Sequence, residues 1–209
     1  MRLRNNPQAK KILNESRYVI SEKKDNYFNN GNEIHLEIGT GKGDFIIGMA
    51  KQYPKINFIG VEKFGTVLVK ALTKLEEEAL NNVLFLEIDA KELLDYFESS
   101  AISCIYINFS DPWPKKRHYK RRLTYKDFLK LYEKLLVSNG YLKQKTDNSS
   151  LFENSIMSFN DFGLKFDMIS VDYHNNSASK HNVMSEYEKK FSSLGQPIYA
   201  VNVIFNEKE

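Results

Sequence analysis

A single cysteine, Cys104, stands among 209 residues, so no disulfide can form within the chain. The fold must therefore rest on a packed core, and a reducing cytoplasm is the expected compartment. Cys104 sits inside the apolar run Ile102–Ile107 and reads as a small buried hydrophobe. No stretch approaches the roughly 20 apolar residues of a membrane span. The N-terminus carries no apolar signal region. One cysteine and four scattered histidines (His35, His118, His174, His181) give no zinc-ligand spacing, so no metal is expected. Internal repeats and low-complexity segments are also absent.

What is present is an ordinary globular composition of a length suited to one domain. The net charge of +3 conceals an asymmetry. Residues 115–122 hold six of the 30 Lys and Arg and no acid, which leaves 24 cations against 27 acids elsewhere, a net of −3. Positive charge this local argues for a docking patch rather than general basicity. A weaker basic segment, with Arg2, Arg4, Lys10 and Lys11, lies within residues 1–30, which are read as a flexible N-terminal segment with a short helix near Pro7–Glu15. Residues 31–209 are read as one domain.

From residue 33 strand and helix patterns alternate. Strands are expected at Glu33–Ile38, Asn57–Val61, Val83–Ile88, Ile102–Asn108, Gly140–Lys145, Gly163–Val171 and Pro197–Phe205. Helices are expected at Asp44–Gln52, Phe64–Ala79, Lys91–Phe97, Thr124–Leu136, Ser149–Phe159 and Glu186–Leu194, with a polar loop at Asp172–Asn182. Short apolar runs between helical patterns predict an α/β, Rossmann-like sheet, mostly parallel and covered on both faces. Ligands of such sheets bind outside the carboxyl ends of the strands. Glu37, Glu62, Asp89 and Asp111 fall at or just after the ends of the first four strands, which is more acid on one rim than chance placement suggests.

Two motifs carry chemistry. The first is Glu37-Ile38-Gly39-Thr40-Gly41-Lys42-Gly43, a strand-to-helix glycine turn. Its spacing is not the G-x-G-x-x-G of dinucleotide sites. It is not a P-loop either, because Gly43 follows Lys42 where Ser or Thr is needed. Glu37 would repel a pyrophosphate and suit a cationic ligand; S-adenosylmethionine carries a sulfonium and an ammonium and no phosphate. Glu62, 19 residues beyond Gly43, is placed to accept ribose hydroxyls. Asp89 could accept the adenine amino group or cap the helix at Lys91. The second motif is Asn108-Phe109-Ser110-Asp111-Pro112-Trp113-Pro114, which runs into Lys115-Lys116-Arg117-His118-Tyr119-Lys120-Arg121-Arg122. Prolines stiffen the loop around the tryptophan. An aromatic beside dense cations suits base stacking and phosphate contact. A solvated basic loop is the plainer alternative.

Together these stretches resemble the tRNA (guanine-N7)-methyltransferase family, a class I S-adenosylmethionine-dependent group. The matching blocks are Met1–Asn5, EIGTGKGDF, NFSDPWPKKRHYKRRL, KTDN at 145–148, and SEYEKKF with GQPIY at 185–199. The resemblance implies seven strands with the last antiparallel. It implies methyl transfer from S-adenosylmethionine to N7 of a guanine in the variable loop of tRNA. It marks Asp111 as catalytic and Glu37, Glu62, Asp89 and Asp111 as cofactor-binding, with Gly39 and Gly41 shaping the loop. It makes Lys115, Asp147, Ser185, Tyr187 and Glu188 substrate-binding, and Arg117, His118, Tyr119, Lys120, Arg121 and Arg122 RNA-interacting. The family usually has Thr where Ser185 stands; the hydroxyl is kept.

Plainer roles stand beside these. Trp113 could stack on the base or anchor its loop. Ser185-x-x-Glu188 is also a capping box, and Asp147 and Asn148 are helix-cap types. Guanine N7 carries a lone pair and no proton, so Asp111 is expected to act by position and charge, not by proton abstraction. Two rivals remain: an exocyclic-amine methyltransferase, disfavoured because Ser-Asp-Pro-Trp-Pro lacks the second adjacent proline of that motif, and an RNA-binding module without activity. Monomer and homodimer are both open.

Overall fold

The computed structural model describes residues 6–207. Met1–Asn5, with Arg2 and Arg4, and residues 208–209 lie outside the described residues. A short helix, α1 (Ala9–Glu15), precedes β1 (Ile34–Ile38), α2 (Asp44–Gln52), β2 (Asn57–Val61), α3 (Gly65–Glu78), β3 (Val83–Leu86) and β4 (Ile102–Asn108). Then come α4 (Lys126–Leu135), β5 (Leu136–Thr146), α5 (Ser149–Phe162), β6 (Lys165–Ser170), α6 (Glu186–Ser193) and β7 (Tyr199–Ile204). The seven strands form one sheet in the order β3-β2-β1-β4-β5-β7-β6. All are parallel except β7, which lies antiparallel between β5 and β6. The chain reverses direction across the sheet between β1 and β4, the crevice where open α/β sheets bind ligands.

Period-two alternation sends successive strand residues to two separate cores. In β4, Ile105 and Ile107 enter the core under α4 and α5, as does Ile102 ahead of a register shift. Cys104 and Tyr106 enter the core under α2 and α3. Burial pushes the Cys104 thiol up to about 11, as for an inert core residue. In α4, Phe128, Leu129, Tyr132 and Leu135 form the buried stripe.

Three details differ from the sequence reading. The helix expected at Lys91–Phe97 is a 3-10 helix, Ala90–Asp95, started by Asp89. The polar loop 172–182 contains two 3-10 turns, Tyr173–Asn175 and Ser177–His181. The basic run itself coils as a 3-10 helix over Lys116–Arg121. Within the N-terminal segment, the Phe85 N–H donates to Tyr18 O at 2.7 Å and the Ile20 N–H to Phe85 O at 2.8 Å. Residues 18–20 thus extend the β3 edge, and Leu13 is buried beside α3. No helix among the described residues is long and apolar enough to cross a membrane.

Candidate active site

Four parallel, adjacent strands bring Glu37, Glu62, Asp89 and Asp111 to one rim. The glycine turn folds back on the end of β2: Gly39 and Thr40 N–H donate to Val61 O at 2.8 and 3.0 Å. Gly39, Gly41 and Gly43 have φ of 79°, 60° and 79°, which a side chain resists. A Cβ on Gly43 would come within 2.9 Å of Ala71 Cβ, so this glycine allows α2 to meet α3. A Cβ on Gly39 or Gly41 would meet nothing and project into open space above the turn.

Glu37 is 2% exposed. Thr40 Oγ1 donates to one carboxylate oxygen at 2.6 Å and Asn108 Nδ2 to the other at 2.9 Å. Burial outweighs these bonds and raises its pKa to about 7. Burial also raises that of Glu62, which accepts the Gly41 N–H at 3.2 Å and the Phe64 N–H at 3.1 Å. Glu62 therefore ties the glycine turn to β2, a link the sequence did not announce.

Asp89 is half-buried and accepts the Lys91 N–H at 3.1 Å, so it does cap the following helix. Asp111 is exposed, and among the described residues its carboxylate has no hydrogen bond or ion pair. Its loop is held from beneath. Arg122 donates to Pro112 O at 3.0 Å and Trp113 O at 3.2 Å. The Arg121 guanidinium stands 4.9 Å from the Trp113 ring centre, and the His118 ring meets it edge-on at 5.7 Å. Trp113 is half-buried and anchors the loop through these contacts, with φ at 43°. Lys115, Lys116, Arg117, Tyr119 and Lys120 remain exposed.

Asn148 takes the α5 cap by accepting the Leu151 N–H at 2.8 Å, which leaves Asp147 half-buried at the end of β5. Ser185 caps α6, accepting the Glu188 N–H at 3.1 Å. Among the described residues the Glu188 carboxylate does not complete the capping box but turns inward. It is 0% exposed. One oxygen accepts Lys145 Nζ at 2.5 Å; the other meets Asn182 Nδ2 at 2.6 Å and His174 Nε2 at 2.9 Å. Lys145, Asn182 and His174 hold Glu188 inward, and because neighbours on a helix point about 100° apart, Tyr187 then faces out. Burial pushes the Lys145 ammonium below the usual lysine range, against the pull of Glu188. Lys145 also donates to Asn182 and to Val183 O, pinning the 172–183 segment to β5.

Sequence reasoning missed Lys145, Asn108, Asn182 and His174. One signal was available: Lys143 and Lys145 share a face of an interior strand with Tyr106, where apolar residues are the rule. A cavity of about 180 Å3 opens there, lined by Phe45, Tyr106, Asn108, Lys145, Tyr173 and Asn182 among others. A second missed link joins the cofactor side to α6: Lys42 Nζ contacts Glu186 at 2.6 Å.

The rim suits S-adenosylmethionine on its own geometry. The open cradle above Gly39 and Gly41, the buried Glu37 carboxylate, which has no salt-bridge partner among the described residues, and the acceptor Glu62 match a cationic amino acid joined to a ribose. The ionised form of Glu37 is the one that holds a cation. Cofactor affinity is therefore expected to fall as pH drops below about 7, with proton release on binding, as isothermal titration in buffers of different ionisation heat would measure. The unliganded protein should behave oppositely. Its Glu37 contribution to stability is full below the ordinary carboxylate pKa and lost as pH rises to about 7. Glu37→Gln should flatten both trends.

A family model described as "Putative methyltransferase" matches residues 31–201. A protein of Bacillus subtilis (strain 168) named "tRNA (guanine-N(7)-)-methyltransferase" is 49% identical over 210 residues, covering 97% of this chain and 98% of that protein. One of the same name from Geobacillus sp. (strain WCH70) is 51% identical over 215 residues, covering 100% and 97%. Among solved structures, the 16S rRNA methyltransferase KamB aligns with a TM-score of 0.64 at 12% identity, covering 89% of this chain and 95% of that one. A SAM-dependent methyltransferase from Aquifex aeolicus aligns with a TM-score of 0.58 at 14% identity, covering 95% and 93%. At such identities the likeness is one of fold.

Proposed function

The chain belongs to the tRNA (guanine-N7)-methyltransferase family, and we propose that it methylates N7 of a guanine in the variable loop of tRNA, in the cytoplasm. One observation carries the reading: a buried carboxylate beneath an open glycine cradle shares a rim with an exposed aspartate, and a cationic 3-10 helix follows that aspartate. Glu37 is assigned the ammonium end of the cofactor, Glu62 the ribose hydroxyls and Asp89 the adenine amine. S-adenosylmethionine, when bound, supplies a methyl on a sulfonium; the N7 lone pair accepts it and the sulfur keeps the bonding pair.

No proton leaves N7, so no general base is required. Asp111 holds negative charge where the base becomes cationic. Lys115, Asp147, Ser185 and Tyr187 frame the guanine, and Glu188 supports that frame from inside. Arg117, Tyr119 and Lys120 meet the RNA backbone, while His118, Arg121 and Arg122 also shape the Trp113 loop. Arg117→Ala is expected to weaken tRNA binding and lower the slope of log affinity against log salt by about 1, with the rate on bound tRNA retained. A salt titration of both proteins measures this.

The deciding experiment is methyl transfer from labelled S-adenosylmethionine to an unmodified tRNA transcript, mapped by cleavage at N7-methylguanine. A transcript lacking the variable-loop guanine is the control. Label at that guanine alone supports the reading. Label on an exocyclic amine favours the first rival, and tRNA binding without cofactor binding favours the second.

A further inference from the structure

Three aromatic rings, in contact pair by pair, link α6 to the loop after β4. Tyr187 and Phe191 lie 6.3 Å apart, centre to centre, with ring planes 19° apart. Phe191 and Phe109 lie 6.2 Å apart, also at 19°. Tyr187 and Phe191 are four residues apart on one helix, the spacing that places side chains one above the other. The outer ring, Tyr187, is 57% exposed. The inner ring belongs to a strained residue: Phe109 has φ of 51°, a conformation a residue with a β-carbon rarely adopts.

Such a conformation persists only where its surroundings hold it. The Phe109 backbone is held by β5, its N–H donating to Lys145 O at 2.8 Å. Its side chain stacks on Phe191. Two residues further stands Asp111, exposed and with nothing of its own to fix it among the described residues. The Asp111 loop thus turns at Phe109 before the braces from Arg121 and Arg122 begin, and the Phe191 ring of α6 meets it there. Simple burial does not account for the arrangement, since all three rings lie outside both cores.

We propose that Phe191 is a positioning residue for methyl transfer: stacked between Tyr187 and Phe109, it fixes the turn that presents Asp111 and aligns the open face of Tyr187 as a stacking surface for the target purine. The inference rests on the guanine-methylating reading. Offset stacking conveys orientation as well as contact, which is why the ring should matter beyond its volume.

The protein contains one tryptophan, Trp113, in the very loop at issue. Its emission reports loop geometry without any substrate. Phe191→Leu is expected to lower kcat by about 10-fold or more, to leave cofactor affinity nearly unchanged, and to shift Trp113 emission. Phe191→Tyr should restore both rate and emission. Phe109→Leu, on the far side of the stack, should give the same defect, and the double variant should be no slower than either single one. A purely packing role would lower the melting temperature of Phe191→Leu while keeping kcat. Wild-type rate and emission in Phe191→Leu, or a Phe191→Tyr no better than Leu, would overturn the proposal. If the wild-type protein fails to methylate tRNA, the reading of function falls. The emission of the four variants then still decides whether the stack orients the loop.

Discussion

Asp111→Asn is expected to cut methyl transfer by about 100-fold or more, the scale of losing one preorganised electrostatic contact at a reacting centre. The fold should be untouched, because Asp111 is exposed and bonded to nothing among the described residues. Asparagine keeps the shape and removes the charge, so the loss reports charge alone. Single-turnover rates with saturating tRNA and cofactor measure it, and equilibrium dialysis shows that any loss of cofactor affinity is far smaller. An Asp111→Asn protein as fast as wild type would remove the electrostatic account.

Glu188→Ala should be the most destabilising single change at the site. It leaves the Lys145 ammonium, itself buried, without its carboxylate, and it strips Asn182 and His174 of a shared acceptor. Breaking a buried pair from one side costs about 3–5 kcal/mol. Urea unfolding followed by circular dichroism measures this as a lower midpoint at unchanged slope. Replacing both partners by apolar residues of similar size, Lys145→Met with Glu188→Leu, should recover much of that stability, because no uncompensated charge is left behind. It should not recover activity, because the segment 172–183 loses the hydrogen bonds that pin it to β5. A loss below about 1 kcal/mol in Glu188→Ala would show that the pair is solvated.

Local pattern decided most of the architecture. Apolar runs of strand length between helical periods announced seven strands, and of the six helices expected after residue 33, five stand where periodicity put them. The sixth, at Lys91, shortens to a 3-10 helix, because Asp89 caps a segment only six residues long. The glycine turn, the rim acids and the Asp111 loop were legible because each is a contiguous motif whose residue types follow from local chemistry. Glycines are required by positive φ, prolines stiffen a loop, and a carboxylate ending a strand faces the ligand side of such a sheet.

The sequence by itself determined the fold class, the edge at which ligands bind and the chemistry of the groups waiting there. Only the tertiary structure decided which of those groups face outward and which hold the others in place. Ser185-x-x-Glu188 reads equally as a capping box and as a substrate motif. What settles its geometry is Lys145, 43 residues away, which draws Glu188 inward. Arg121 and Arg122 read as phosphate contacts until the folded loop shows them bracing Trp113 and Pro112. Phe191 has no signature at all beyond helical spacing, and its place against Phe109 depends on α6 folding across the sheet edge. Such roles arise from contacts between residues distant in the chain. Their energies depend on burial and mutual geometry, and neither is encoded in local residue order.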